Sequence, residues 1–488
     1  MKTFSPINRA TVVCWLLVMF LFVNCGKGGN NPSPTPTPPT PEPPTPPAAS
    51  SDVTMWLTKA DKSVLFKKQT TAINFSATGN ASKSITVDST QAYQTMDGFG
   101  FALTGGSAYL INRLPEKDKN NLLKELFTTD STFIGINYLR ISLGASDLSS
   151  NVFTYDESET PDPTLSKFDL GPDRYDLIPV LKAIISLQPN IKILASPWTA
   201  PTWMKTNKAY VGGSLDPQYY DVYAKYFVKY IEAMKANGIT IDAVTVQNEP
   251  QHGGNNPSMV MSAAEQAEFV KSSLGPAFKA AGLSTKIIIW DHNCDNPNYP
   301  ITVLNDPDAK QYIDGSAFHL YGGDISALTT VHNAHPDKNL YFTEQWLGGP
   351  GNFPDDFLWH TKNLVIAAPK NWSRNVLEWN LAADINYNPH TPGGCSTCMG
   401  GVTIDASITR NANYYAIAHA SKFVPAGSKR IASTELSGLS TVAFLTPEGK
   451  KVLIALNDGS SAQTFNILFK GKYAPVTLDA KSVATLVW

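Results

Sequence analysis

The middle of this chain repeats one pattern for about 330 residues, and few folds can absorb it. Short runs of apolar and β-branched residues alternate with segments of helical periodicity. The runs begin near Met96-Asp-Gly-Phe-Gly-Phe, Ile136-Asn-Tyr-Leu-Arg-Ile-Ser, Ile191-Lys-Ile-Leu-Ala-Ser and Val244-Thr-Val. They continue at Ile287-Ile-Ile-Trp, Ser316-Ala-Phe-His-Leu-Tyr, Tyr341-Phe-Thr and Val376-Leu-Glu-Trp-Asn. Helical segments lie between them, for example Pro115 to Phe127, Asp221 to Asn237 and Ala263 to Ala281. Strand–helix–strand repeats imply parallel strands joined by crossovers. Eight such units predict an α/β fold, a (β/α)8 TIM barrel with long loops, over residues 93–425.

On either side the period changes to two. Val53-Thr-Met-Trp-Leu, Ile73-Asn-Phe-Ser-Ala and Ser84-Ile-Thr-Val precede the barrel. Ser440-Thr-Val-Ala-Phe-Leu, Val452-Leu-Ile-Ala-Leu-Asn, Gln463-Thr-Phe-Asn-Ile-Leu-Phe and Ser482-Val-Ala-Thr-Leu-Val follow it. Turn residues separate these runs. The expectation is one side β-sandwich built from both termini, residues 52–92 and 426–488.

Residues 1–25 read as an export signal. Lys2 and Arg9 precede an apolar run from Thr11 to Val23, short for a membrane span, and Cys25 follows. An apolar stretch ending in Cys resembles a bacterial lipoprotein signal, with Cys25 acylated and holding the protein at the outer membrane. Asn24 departs from the small residue usual before such a cysteine, and a plain secretory signal is the alternative. Residues 26–51, rich in Pro and Thr, form an extended spacer. Of the other cysteines, Cys395 and Cys398 in Cys-Ser-Thr-Cys read as a tight disulfide clipping a loop in an exported chain. No second Cys-x-x-Cys exists to complete a zinc site, and Cys294 stands alone. A formal net charge of −2 gives no basic footprint for nucleic acid.

Two strands end in glutamate. Ala243-Val-Thr-Val-Gln-Asn-Glu-Pro250 closes strand four, and Leu340-Tyr-Phe-Thr-Glu-Gln-Trp346 closes strand seven. A barrel gathers its strand ends on one rim, so Glu249 and Glu344, 95 residues apart, can face each other across its mouth. One carboxyl that starts protonated and one that starts ionised are what glycosidic-bond cleavage requires. Glu249 is read as general acid/base and Glu344 as nucleophile, with Asn248 placed to hydrogen-bond a sugar 2-hydroxyl. A lone strand-end glutamate is as readily a structural ion pair; two on one rim, one as Asn-Glu-Pro, favour the chemical reading.

With these residues in view the chain resembles glycoside hydrolase family 30, which includes glucosylceramidases and microbial β-1,6-glucanases. Asn248-Glu-Pro, Thr343-Glu, Asp97-Gly-Phe-Gly, Leu139-Arg-Ile-Ser-Leu-Gly-Ala-Ser-Asp147 and Ser196-Pro-Trp-Thr-Ala-Pro-Thr-Trp-Met-Lys205 carry the likeness. The resemblance spans roughly residues 52–488. It implies retaining chemistry, a barrel with an attached sandwich, and no metal or organic cofactor. It also implies that Asp147 and Trp198 hold the bound sugar, that His319 and Tyr321 stand near the nucleophile, and that Trp379 floors the pocket. His319 equally suits a satisfied core histidine, and Trp203, Trp290 and Trp346 suit packing as well as ligand contact. Arg140 is expected to brace a glutamate.

The family's glucuronoxylanases use an arginine in the strand-eight loop. Residues 382–405 contain no Arg or Lys, which counts against that branch. The same loop, with Cys395 and Cys398, reads as a fixed wall of the cleft. The expected activity is endo-β-1,6-glucanase on a β-glucan polysaccharide, by a monomer. The alternatives are an exo-acting β-glucosidase or glucosylceramidase, and a non-catalytic carbohydrate-binding lipoprotein.

Overall fold

The computed structural model describes residues 50–488; the signal segment, Cys25 and nearly all of the spacer lie outside the described residues. Eight parallel strands close a barrel. In chain order they are β1 (Gly98–Ala102), β2 (Tyr138–Ser142), β3 (Lys192–Ser196) and β4 (Ala243–Thr245). The others are β5 (Lys286–Cys294), β6 (Ile313–Gly323), β7 (Asn339–Glu344) and β8 (Ser373–Asn380). Each pairs with the next in sequence, and β8 pairs with β1 through Val376↔Phe99. All eight lie where the alternation placed them, because buried parallel strands carry near-continuous apolar runs that the amphipathic helices between them do not.

Alternation along each strand sorts its side chains into two faces. Tyr138, Leu194, Ala243, Ile288, Ala317, Tyr341 and Leu377 form one apolar cluster drawn from seven strands, the floor inside the barrel. The eighth strand contributes Gly100, where a Cβ would lie 1.9 Å from the Tyr138 carbonyl oxygen. Two residues further along five of the strands the buried inward positions turn polar: Arg140, Ser196, Thr245, His319 and Thr343. The apolar floor therefore carries a polar layer directly above it, toward the C-terminal rim.

Strand β5 breaks the alternation. Ile288 faces the floor, and Ile287 and Ile289 pack outward with the helices. A period of two would turn Trp290 inward, yet it packs outward on Tyr299, ring centroids 4.4 Å apart. The pairing with β6 shifts between Trp290 and His292, and Trp290 and Asp291 take left-handed backbone angles (φ 69° and 66°). This bulge sends Asp291 inward instead.

Among the described residues nine strands form the side domain, drawn from segments on both sides of the barrel. Thr54–Lys59 pairs antiparallel with Ser482–Val487, Trp56 opposite Thr485. The long strand Ser84–Thr95 pairs with Gln463–Phe469 near its start and with Lys429–Ser433 further on, so it belongs to both halves of the sandwich. Ile85, Val87, Leu453, Phe465, Ala484 and Leu486 pack between the halves. A histidine ties this domain to the last barrel helix, Ala412–Ser421. His419 is fully buried, its Nδ1 2.8 Å from Thr485 Oγ1 and its Nε2 2.9 Å from Thr58 Oγ1.

Burial lowers the His419 pKa from 6.5 to about 3. The unfolded chain takes up a proton below pH 6.5 that the folded chain refuses until about pH 3, so stability is lost as pH falls through that window. Urea unfolding of the wild type is expected to show this decline, and His419→Gln to flatten it; equal slopes for the two proteins would exclude His419 as a source.

Candidate active site

Both glutamates stand at the C-terminal ends of their strands. Glu344 is the last residue of β7, and Glu249 lies four residues beyond β4 in a tight turn. One oxygen of each, together with a ring nitrogen of His319, lie within 4.8 Å of one another. They open into a cavity of about 300 Å³ that is also lined by Asp147, Trp198, Asn248, Tyr321 and Trp379. His319 sits behind the cavity wall, fully buried. The structure thus brings together every barrel residue expected to touch the sugar or flank the nucleophile. Trp346 joins them at the cavity edge. Trp203 and Trp290 serve packing, the former donating its indole N–H to the Asp156 carbonyl at 2.8 Å.

Arg140 is the hub. Its guanidinium donates to Glu344 Oε2 at 2.5 Å, Asn248 Oδ1 at 2.6 Å, Asp291 Oδ2 at 2.7 Å and Ser196 Oγ at 3.1 Å. Trp198 and Trp379 stack 5.4 Å apart and flank the same guanidinium, 4.9 and 5.6 Å from its carbon. Asn248 gives its oxygen to Arg140, which leaves the Nδ2 group to a ligand. Asp291, which sequence reasoning overlooked, also accepts from Thr343 Oγ1 at 2.7 Å and Thr245 Oγ1 at 2.8 Å, and lies 3.1 Å from His319 Nε2. His319 Nδ1 is 3.1 Å from Glu249 Oε1, and Tyr321 donates its hydroxyl to Glu344 Oε1 at 2.9 Å.

Charge balance follows from these contacts. Burial disfavours the charged form of His319, but the Glu344 charge and the bonds to Asp291 and Glu249 outweigh it and raise the pKa to about 9. Burial likewise opposes ionisation of Asp291, but Arg140 and His319 hold it well below the usual carboxylate range. Two cations then face Asp291 and two glutamates, so the cluster is neutral when the glutamates share one proton. Burial and the nearby Glu249 and Asp291 charges push Glu344 up against the pull of His319 and Arg140; His319 pulls Glu249 down against its own burial. Taken one at a time, these pulls would leave the proton on Glu344. Carboxylates this close titrate as a pair, and the donors aimed at each decide where the proton rests. Glu344 receives two strong donors, Arg140 and Tyr321, which favours its ionised form.

Glu249, His319 and Glu344 are also spaced as metal ligands are. Arg140 already supplies the positive charge at Glu344, and both His319 nitrogens are engaged, so no lone pair of that ring is left for an ion.

The site is held under backbone strain. Glu249 (φ 44°), Trp290 and Asp291 all occupy left-handed conformations that cost non-glycine residues about 1–3 kcal/mol each. The Glu249 amide donates to the Asp291 carbonyl at 2.9 Å, joining the strained segments. Cys395 and Cys398, which also line the cavity, are disulfide-bonded. Their loop reaches Asp147, whose carboxylate accepts the Cys395 N–H at 3.3 Å. Burial first, then the Glu344 charge, raises the Asp147 pKa to about 7.

A parallel barrel with paired carboxylates, stacked indoles and a polar layer at its C-terminal mouth defines a glycosidase-type enzyme. Residues 96–424 match the glycosyl hydrolase family 30 TIM-barrel domain, and residues 427–486 match the family's beta sandwich domain. The chain belongs to glycosyl hydrolase family 30. It is 37% identical over 423 residues to an endo-1,6-beta-D-glucanase of Neurospora crassa, covering 83% of this chain and 85% of that protein. It is 30% identical over 408 residues to the lysosomal acid glucosylceramidase of Mus musculus, covering 77% of each. The solved structure of the endo-beta1,6-glucanase BT3312 superposes with a TM-score of 0.85 at 36% identity, covering 90% of this chain and 99% of that one.

Removing Asp291 leaves Arg140 and His319 buried without their shared counter-charge. Asp291→Ala is expected to cost about 3–5 kcal/mol of unfolding free energy by urea titration. A loss under about 0.5 kcal/mol, the range of ordinary surface substitutions, would remove Asp291 from the centre of the network.

Proposed function

We propose that this protein is a retaining endo-β-1,6-glucanase that works by double displacement, with Glu344 as nucleophile and Glu249 as general acid/base. The observation that carries the reading is that one oxygen of each carboxylate lies within 4.8 Å of the other, as the close pair of a direct covalent attack requires. Glu344, ionised by Arg140 and Tyr321, attacks the anomeric carbon and forms an ester. Glu249 gives its proton to the departing oxygen, then takes one from the water that cleaves the ester. Asn248 holds the 2-hydroxyl, Asp147 the outer hydroxyls, and Trp198 and Trp379 the apolar face of the ring.

Similarity to proteins named endo-1,6-beta-D-glucanases, at 34–37% identity over at least three-quarters of the chain, supports the linkage and the endo mode. The family's glucosylceramidases keep the exo reading as the competitor, and a product profile separates the two. Hydrolysis of a β-1,6-glucan should release a ladder of oligosaccharides, with the β-anomer formed first by ¹H NMR. Release of glucose alone, or action only on glucosylceramide, would favour the exo alternative; α-anomer first would end the double-displacement mechanism. Glu344→Gln should lower kcat by at least about a thousandfold. Sugar binding with no turnover by the wild type would mark a carbohydrate-binding protein.

We further propose that the enzyme acts as a monomer tethered by lipid on Cys25, with residues 26–51 as spacer. The support is the order of charged, apolar and Cys-bearing segments at residues 1–25. Cys25→Ala should move the protein from the membrane pellet to the soluble fraction; unchanged pelleting would exclude the anchor.

A further inference from the structure

His292 lines the catalytic cavity, is 8% exposed, and has no hydrogen-bond partner at Nδ1. Two other buried histidines are bonded to neighbouring side chains, whereas His335 Nε2, like His292 Nδ1, has no partner. Both nitrogens of His419 meet threonine hydroxyls, and His360 is bound to Glu378. His292 instead rests on the Trp290 ring at 5.0 Å, one residue past the bulge that turns Asp291 inward. Packing alone would be served as well by an apolar side chain. Nδ1 is covered by protein, so Nε2, which no side chain engages, is the nitrogen that a ligand in the cavity would meet.

The position tells which part of the substrate does so. Glu249 Oε1 is taken by His319, leaving Oε2 as the oxygen free to pass a proton to the leaving group. Asn255 Nδ2 is 3.4 Å from Oε2, and His252 and His292 line the cavity beside Glu249. Asp147, Trp198 and Trp379 gather instead around Arg140 and the disulfide loop, where the sugar under attack is held. His292 therefore stands on the side from which the leaving group departs. Burial lowers its pKa to about 4, so at neutral pH the ring has one donor and one acceptor nitrogen, the complement of a sugar hydroxyl.

We propose that His292 is a specificity-determining contact for the leaving-group sugar: its imidazole hydrogen-bonds a hydroxyl of the departing glucosyl unit, with Asn255 beside it. This rests on the hydrolase reading above and adds a demand on the leaving group. A hydroxyl-bearing sugar satisfies the ring, and a simple alkyl or aryl group does not.

The same subsite must receive an acceptor sugar when the glycosyl-enzyme is intercepted. In that step the Glu344 ester bond breaks, a bond forms from the acceptor oxygen to the anomeric carbon, and the acceptor proton goes to Glu249. The test uses the full chain, an aryl glycoside of a β-1,6-linked glucose disaccharide as donor, and methyl β-glucoside as acceptor. The readout is the ratio of transfer product to hydrolysis product. Both products come from one intermediate, so any effect of a substitution on forming that intermediate cancels.

His292→Ala is expected to lower the ratio about tenfold, the worth of one hydrogen bond between neutral groups. His292→Asn, which can still donate and accept, should recover part of it. An unchanged ratio in His292→Ala, or no transfer by the wild type at high acceptor concentration, overturns the assignment and leaves the hydrolase reading intact. Failure of the wild type to turn over either the donor or a β-1,6-glucan overturns both.

Discussion

A guanidinium that cannot lose its charge sits fully buried inside the barrel, and the catalytic geometry is the answer to that constraint. Arg140 needs negative partners on several sides at once. Asp291 comes from β5, Glu344 from β7 and the Asn248 oxygen from the turn after β4. Each partner is thereby fixed in place by a charge-assisted bond. The apolar floor beneath excludes water and strengthens every one of these interactions. Arg140 thus does two things with one charge: it keeps the barrel interior electrically balanced, and it holds a carboxylate ready to attack.

The Glu249–Glu344 pair holds one proton between two carboxylates inside a buried network. Each glutamate alone is displaced in the direction opposite to its role. Within the cluster, two cations, three carboxylates and one shared proton make a neutral unit. The place of that proton then depends on which oxygens receive donors. An incoming glycosidic oxygen beside Glu249 Oε2 adds a further acceptor for the proton there, so substrate binding and the acid role reinforce each other.

Much of this was legible in the residues. Eight apolar runs at helix-length intervals leave few alternatives to a barrel, and a glutamate closing two of them points to the chemistry. The resemblance then located Asp147, Trp198, His319, Tyr321 and Trp379. Asp291 escaped because strand alternation is a two-fold rule, and the β5 bulge breaks it at Trp290. Read with an unbroken period, Ile287-Ile-Ile-Trp directs the tryptophan at the site and the aspartate away. Asn255 and His252 lie in an irregular segment whose path no periodicity describes. The one available signal was the polar pair Asp291-His292 directly after an apolar run, the same kind of signal that singled out Glu249 and Glu344.

The zipper between Thr54–Lys59 and Ser482–Val487 has a consequence for how the molecule is made. The first of these strands leaves the ribosome about 420 residues before its mate exists. Throughout that interval it has only the short Lys67–Lys68 strand on one side, and its other edge, with apolar Trp56 and Leu57, is open to wrong pairing. Assembly of the side domain is thus postponed to the last moment of synthesis, and a chain cut short by a few dozen residues would keep all eight barrel strands while its first strand found nothing to zip against.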